Sequence, residues 1–147
     1  MKKLLTVLFA VIVLASVTAV AQTKKKPAPK AKAPTKTGLV VNGKMSNKAT
    51  AEQMIAWSEL EKLEVMCDNG KKYVLKNFQI NIIVKEPYAF RDFGIGEFGM
   101  PIMARKGIKE MKEGDSIYLK EIKALDENAM EVDLPVMVVG VYSETSK

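Results

Sequence analysis

The chain has 147 residues, of which 48% are hydrophobic and 27% charged, with a formal net charge of +6, one cysteine and no histidine. Without histidine there is no Ser-His-Asp or Cys-His catalysis, no imidazole metal site and no imidazole proton shuttle, and a lone Cys67 leaves no internal disulfide, so the fold must rest on packing. The positive charge is not on the folded part: eight lysines precede Gly38, leaving 15 basic residues against all 17 acids beyond it, which excludes a duplex-binding surface and a nucleic-acid partner.

Residues 1–21 read as a secretory signal peptide. Lys2 and Lys3 precede an apolar run from Leu4 to Val17, and Ala19-Val20-Ala21 forms a small-x-small cleavage motif before Gln22. The expected location is periplasmic or secreted. Left uncut, the run to Ala21 would only reach about the minimum length of a membrane span, and the protein would then be a membrane-tethered structural subunit. Residues 22–37 follow as a Lys/Pro/Ala-rich flexible linker without hydrophobic pattern, whose lysines give it a weak electrostatic attraction to membrane or cell-wall polymers. Residues 38–147 suffice for one domain with one core.

Within that domain "GLVV" predicts a short strand and "NGKMSNKAT" a polar loop. Thr50 with Gln53 three residues later fits a capping box, and Ala51 to Trp57 supplies two helical turns, which "SELEK" can prolong. Leu63, Val65 and Cys67 then alternate with Glu64 and Met66, placing the thiol on the apolar face of a strand as a small core residue. "CDNGKK" is a tight-turn signal because Asn69-Gly70 tolerates positive φ. The returning strand carries Phe78, Ile80, Ile82 and Val84 on one face and Gln79, Asn81 and Ile83 on the other, and Pro87 ends it.

Beyond a glycine-rich stretch, Ala104, Ile108 and Met111 make one helical stripe, with Gly114 placed as a left-handed cap. Ile117 and Leu119 have one parity and Ile122 and Ala124 the other, so a bulge or bend is expected between them. "MEVDLPVMVVGVY" reads as a β-prone run dense enough in valine to be covered on both faces. About six strands, two short helices and no βαβ alternation predict an all-β fold, mainly an antiparallel β-sandwich.

Few motifs carry chemistry. Gly94-x-Gly96-x-x-Gly99 meets the dinucleotide fingerprint in form, but Met100-Pro101 follows it where a helix should start, and no parallel frame exists. Asp92-Phe93-Gly94 matches the kinase magnesium triplet without any other kinase element. Asp115, Glu121, Asp126, Glu127, Glu131 and Asp133 fall in turns and on alternating strand positions, where they form a solvated face. A carboxylate-dependent glycan hydrolase is the alternative they would support. No catalytic residue, cofactor or metal ligand is expected. The stretch "YAFRDFGIGEF" differs, since Tyr88, Phe90, Arg91, Phe93 and Phe98 in a glycine-rich connection have the composition of a partner-binding hot spot. These residues either cover an open end of the fold or contact a protein partner or a second copy of the chain.

The order of helix, Gly114-Asp115, Ile117-Tyr118, Ile122-Lys123-Ala124, Asp126, Leu134-Pro135 and final apolar strand resembles the C-terminal domain of the gliding-motility and type IX secretion protein GldM. "GKMS" and "LKNFQINI" are similar to its first half, so the likeness spans about Leu39 to Val141. The resemblance implies an exported, mostly β domain of Bacteroidetes that works by protein contact, without catalytic residues, as an assembly or docking module of the cell envelope. The chain lacks the long multidomain shaft of that family, so a motor role does not follow from the resemblance.

Overall fold

The computed structural model describes residues 33–143. The expected signal peptide and the linker up to residue 32 lie outside them. The described elements are β1 (Thr37–Val41), β2 (Lys44–Ser46), β3 (Lys48–Ala49), α1 (Ala51–Ser58), β4 (Glu64–Cys67), β5 (Lys72–Val84), β6 (Ala89–Glu97), α2 (Ile102–Lys109), β7 (Ser116–Leu125), β8 (Glu131–Leu134) and β9 (Met137–Val141). The chain is therefore all-β with two short helices. Strand segments outnumber the expected six because "NGKMSNKAT" is not a plain loop: it holds β2 and β3, and the final apolar run is split at Pro135-Val136 into β8 and β9.

Five strands close on themselves in the order β1-β4-β5-β7-β9, with β1 returning to pair in parallel with β9 at Thr37 and Met137. A closed barrel replaces the expected two-sheet sandwich. Alternating patterns are the same in both architectures, and the closing contact joins residues a hundred positions apart, which local pattern does not encode. Two long strands organise the rest. β5 pairs β7 along one edge, and on the other edge it pairs β4 near its start and β6 near its end. β7 is flanked on its second edge by β9 and then β8. The result is a barrel from which a second sheet, β6-β5-β7-β9-β3, extends.

The core follows the period-two pattern. Leu63, Val65, Cys67, Leu75, Phe78, Ile80, Ile82, Ile117 and Leu119 are buried. The parity change in β7 is absorbed at Glu121, which takes a φ of 52°, so Ile122 and Ala124 are buried as well. Gly70 takes a φ of 76° in the β4–β5 turn, where its N–H donates to the Cys67 carbonyl. Thr50 caps α1 as expected: its hydroxyl accepts from the Gln53 N–H at 3.2 Å, and Gln53 Oε1 accepts from the Thr50 N–H at 3.0 Å. "SELEK" does not extend this helix, which stops at Ser58 because Ser58 Oγ donates back to the Ile55 carbonyl and Trp57 Nε1 turns to the Glu64 carbonyl. β1 starts at Thr37, and Thr35 donates from both its N–H and its hydroxyl to Asp68, so the last residues of the expected linker are held by the β4–β5 turn.

The α2 stripe of Ala104, Ile108 and Met111 is buried, although the helix ends at Lys109 with Glu110 as its cap. Gly114 is not that cap. It takes a φ of 92° in the following turn, where its N–H donates to the Val141 carbonyl. α2 lies close on the sheet because Gly107 has no side chain: a Cβ there would come 2.7 Å from the Phe93 ring and 2.9 Å from Ile82 Cδ1. A Glu59–Lys109 pair at 2.8 Å joins the ends of the two helices.

Candidate functional site

The expected glycine-rich connection from Tyr88 to Phe98 is largely a strand. β6 runs antiparallel to β5 over Ala89–Glu97, and its register shifts between Gln79 and Asn81. Gly94 makes that bulge possible with a φ of 79°, and Asp92 Oδ1 accepts its N–H at 2.8 Å. Gly96 has a different reason to be glycine, since a Cβ there would collide with the Phe78 ring. Glycines that suggest a loop in sequence are thus a bulge and a close approach in the fold. None of them cradles a phosphate, because the fingerprint's first two glycines sit within a strand.

The five aromatic-strand candidates separate into different environments. Phe90 is opposite Ile83 on the outer face of the sheet and is exposed. Arg91 faces the other way and reaches Glu110 at 3.5 Å, with both side chains more than half exposed, so the pair adds little stability. Phe93 packs between the sheet and α2 against the core, and belongs to the interior. Tyr88 stands on the β5–β6 turn and is the most exposed aromatic. Phe98 follows the strand with its N–H donating to the Lys76 carbonyl at 2.8 Å and its ring half exposed. The structure therefore brings Phe90 to the sheet face, leaves Tyr88 and Phe98 at opposite ends of β6, and turns Phe93, partly buried, to the α2 side.

Sequence reasoning missed part of that surface. Ile95, Val136 and Val138 are exposed, so the final valine-rich run is covered on one face only. The missing signal was register: Tyr118 pairs Val138 and Asn81, which places Val138 on the outer face with Phe90 and Ile83. Beside them the Gly94 N–H, with help from Gln79, holds the Asp92 carboxyl below the usual aspartate range, and Gln79 Nε2 donates to Asp92 Oδ2 at 2.9 Å. Asn81, fully buried next to Asp92, has an amide that finds no partner of good geometry among the described residues.

The acidic segment has different work. Asp115 is buried, and its two oxygens accept the Lys85 N–H and the Lys112 N–H, each at 2.8 Å. It does more than start a turn, since it locks the β5–β6 turn to the α2–β7 turn. Asp126 Oδ1 accepts the Asn128 and Met130 N–H groups, Glu127 meets Lys71 at 3.1 Å, and Glu131 lies between Lys76 and Lys123. Glu121 and Asp133 are exposed. A cleft of about 280 Å³ between β5, β6 and α2 is lined by Arg91, Glu110 and Asp115 among others. Of its carboxylates, Asp115 accepts two backbone N–H groups and Glu110 meets Arg91, while Glu86 is exposed. Burial pushes the Cys67 thiol up, partly offset by its contact with the Thr37 hydroxyl at 3.4 Å, as suits a core residue. Among the described residues no group of three or more His, Cys, Asp or Glu side chains is placed to hold a metal, and no helix is long and apolar enough to cross a membrane.

No family model matches the chain, and no curated protein matches it.

Proposed function

We propose that this chain is an exported, non-catalytic protein-interaction module, used for assembly at the cell envelope in the manner of the GldM C-terminal domain it resembles. One observation carries the reading: β6 and its sheet face leave Tyr88, Phe90, Ile95 and Phe98 exposed, while the neighbouring Asp92 carboxylate is engaged by Gln79 and the Gly94 N–H. Scattered exposed apolar residues are ordinary, but an edge strand with an exposed aromatic on its face and one more at each end has the composition of a hot spot. The edge itself is a poor template for adding a strand, since the bulge at Gly94 and the charges of Arg91, Asp92 and Glu97 interrupt it. Side chains on its face, rather than the backbone edge, make the contact.

The test is affinity capture from envelope extract with the domain as bait, comparing wild type with Phe90→Ser and Phe98→Ser. Each variant should keep a β-type circular dichroism spectrum and lose at least about ten-fold in affinity for the captured partner. Unchanged capture by both variants would overturn the reading.

A further inference from the structure

Register places the side chains of the outer sheet face in three rows. Row one holds Phe90, Ile83, Ser116 and Gly140, continued by Lys48 of β3. Row two holds Asp92, Asn81, Tyr118 and Val138, and row three holds Ile95, Gln79 and Lys120, with Val136 just before β9 on the far side. Asn81 in row two is buried, but the apolar part of this face is open among the described residues: Phe90, Ile95, Val136 and Val138 are between 45% and 65% exposed. In row one the large residues, Phe90 and Ile83, lie at the β6 side and the smallest, Ser116 and Gly140, toward the β9 edge, while Val136 and Val138 add apolar area at that edge in the other two rows.

We propose that the occupant of this face is a second copy of the chain, packed sheet to sheet about a twofold axis that runs along the strands between β5 and β7. This deepens the interaction reading above and rests on it. A twofold in that direction turns each β6 onto the β9 of the other copy without changing rows, so the Phe90 ring enters the shallow recess over Gly140 and Ser116 of its mate. A Cβ on Gly140 would meet nothing closer than the Asp115 carbonyl at 4.0 Å, so the recess is open. The same operation brings Lys48, at one edge of row one, beside Asp92, at the opposite edge of row two, and this happens twice. A twofold across the strands would instead stack Asp92 on Asp92, which like charges oppose.

Four strands spaced about 5 Å apart and three rows about 7 Å apart give a flat patch of roughly 400 Å² before side-chain relief. About 800 Å² over the two copies is below the standard size of stable interfaces and in the range of weak, transient ones, so the dimer should be weak.

Sedimentation velocity from about 1 to 300 µM reads the result directly. The expected outcome is a concentration-dependent dimer, with Phe90→Glu raising the dissociation constant at least about ten-fold and Lys48→Glu about three-fold. Met103→Ser, on exposed α2 at the other side of the sheet, should leave it unchanged. Phe90 is half exposed and Lys48 exposed, so neither variant should unfold, and circular dichroism checks this. A wild type that stays monomeric throughout overturns the proposal, as does a dimer that Phe90→Glu leaves intact. If the chain is monomeric while envelope capture is still lost in Phe90→Ser, the occupant is another protein and only this inference fails. If the dimer forms and responds as expected while capture from extract is unaffected by both Phe90→Ser and Phe98→Ser, the inference stands and the partner reading fails.

Discussion

Residues 111–135 and residues 88–98 are the two stretches of this chain that most resemble a site, one by its carboxylates and the other by its aromatics. The structure uses them in opposite ways. In the acidic stretch Asp115 and Asp126 accept backbone N–H groups, and Glu127 and Glu131 meet lysines of β5 and of the turn before it. In the aromatic stretch only Phe93 is consumed by the core, and Tyr88, Phe90, Ile95 and Phe98 remain exposed. Groups that already satisfy the fold have little capacity left for a ligand, whereas uncovered apolar area is a free-energy source that burial against a partner can release. Functional potential therefore follows what the fold leaves uncommitted, not which side chains are chemically most active.

The strongest way to break that contrast is to show that the acidic stretch is dispensable. Asp115→Ala removes the acceptor of two backbone N–H groups at a buried position, and the orphaned donors should cost about 3 kcal/mol of stability. Asp115→Asn keeps one acceptor oxygen and should cost about half as much. Chemical denaturation measures both. A loss under about 1 kcal/mol for the alanine variant would mean that Asp115 does not lock the two turns.

A second experiment sharpens the comparison inside the aromatic stretch, where adjacent residues point to opposite sides. Gly96→Ala pushes a methyl to within 2.7 Å of Phe78 Cε2 and 2.9 Å of the Gly99 carbonyl, which should cost about 2 kcal/mol by overpacking. Ile95→Ala, one residue away and exposed on the outer face, should change stability by less than about 0.5 kcal/mol. Equal effects at the two positions would show that the outer face is packed and not free.

What sequence could reveal follows the range of the interaction that decides it. The α1 capping box, the Gly70 turn, the alternation of β5 and the bulge at Glu121 are written in residues a few positions apart, and each is where the pattern puts it. β6 was hidden because its glycines answer to partners elsewhere in the fold: Gly96 to Phe78 on the neighbouring strand, Gly94 to the bulge that the β5 register requires. Barrel closure by β1 and β9 was hidden for the same reason. The candidate surface was half legible. Composition singles out Phe90, but Val138 and Ile95 join it only through pairing across four strands, and Phe93 leaves it because α2 lies on that side.

The smallest effect separates the two stretches by pH. Glu131 is hydrogen-bonded by Lys76 and then Lys123, and these ammonium groups hold its carboxyl below its ordinary value of 4.5. A carboxyl whose pKa is lower in the folded chain than in the unfolded one stabilises the fold above about pH 4.5 and loses that contribution as pH falls through the lowered value. The melting temperature of wild type should therefore exceed that of Glu131→Gln slightly at pH 7, and the gap should narrow as the pH falls below about 4.5. The lysine and glutamate side chains are all 40% exposed or more, so solvent screens the pair and the gap should shrink further in about 0.5 M salt. Phe90→Ser carries no titrating group on its own position, and its difference from wild type should stay constant across the same pH range. A Glu131→Gln gap that persists undiminished at pH 3 would mean that shape, not charge, accounts for what Glu131 contributes. The acidic stretch would then differ from the aromatic one only in its partners and not in the kind of force it uses.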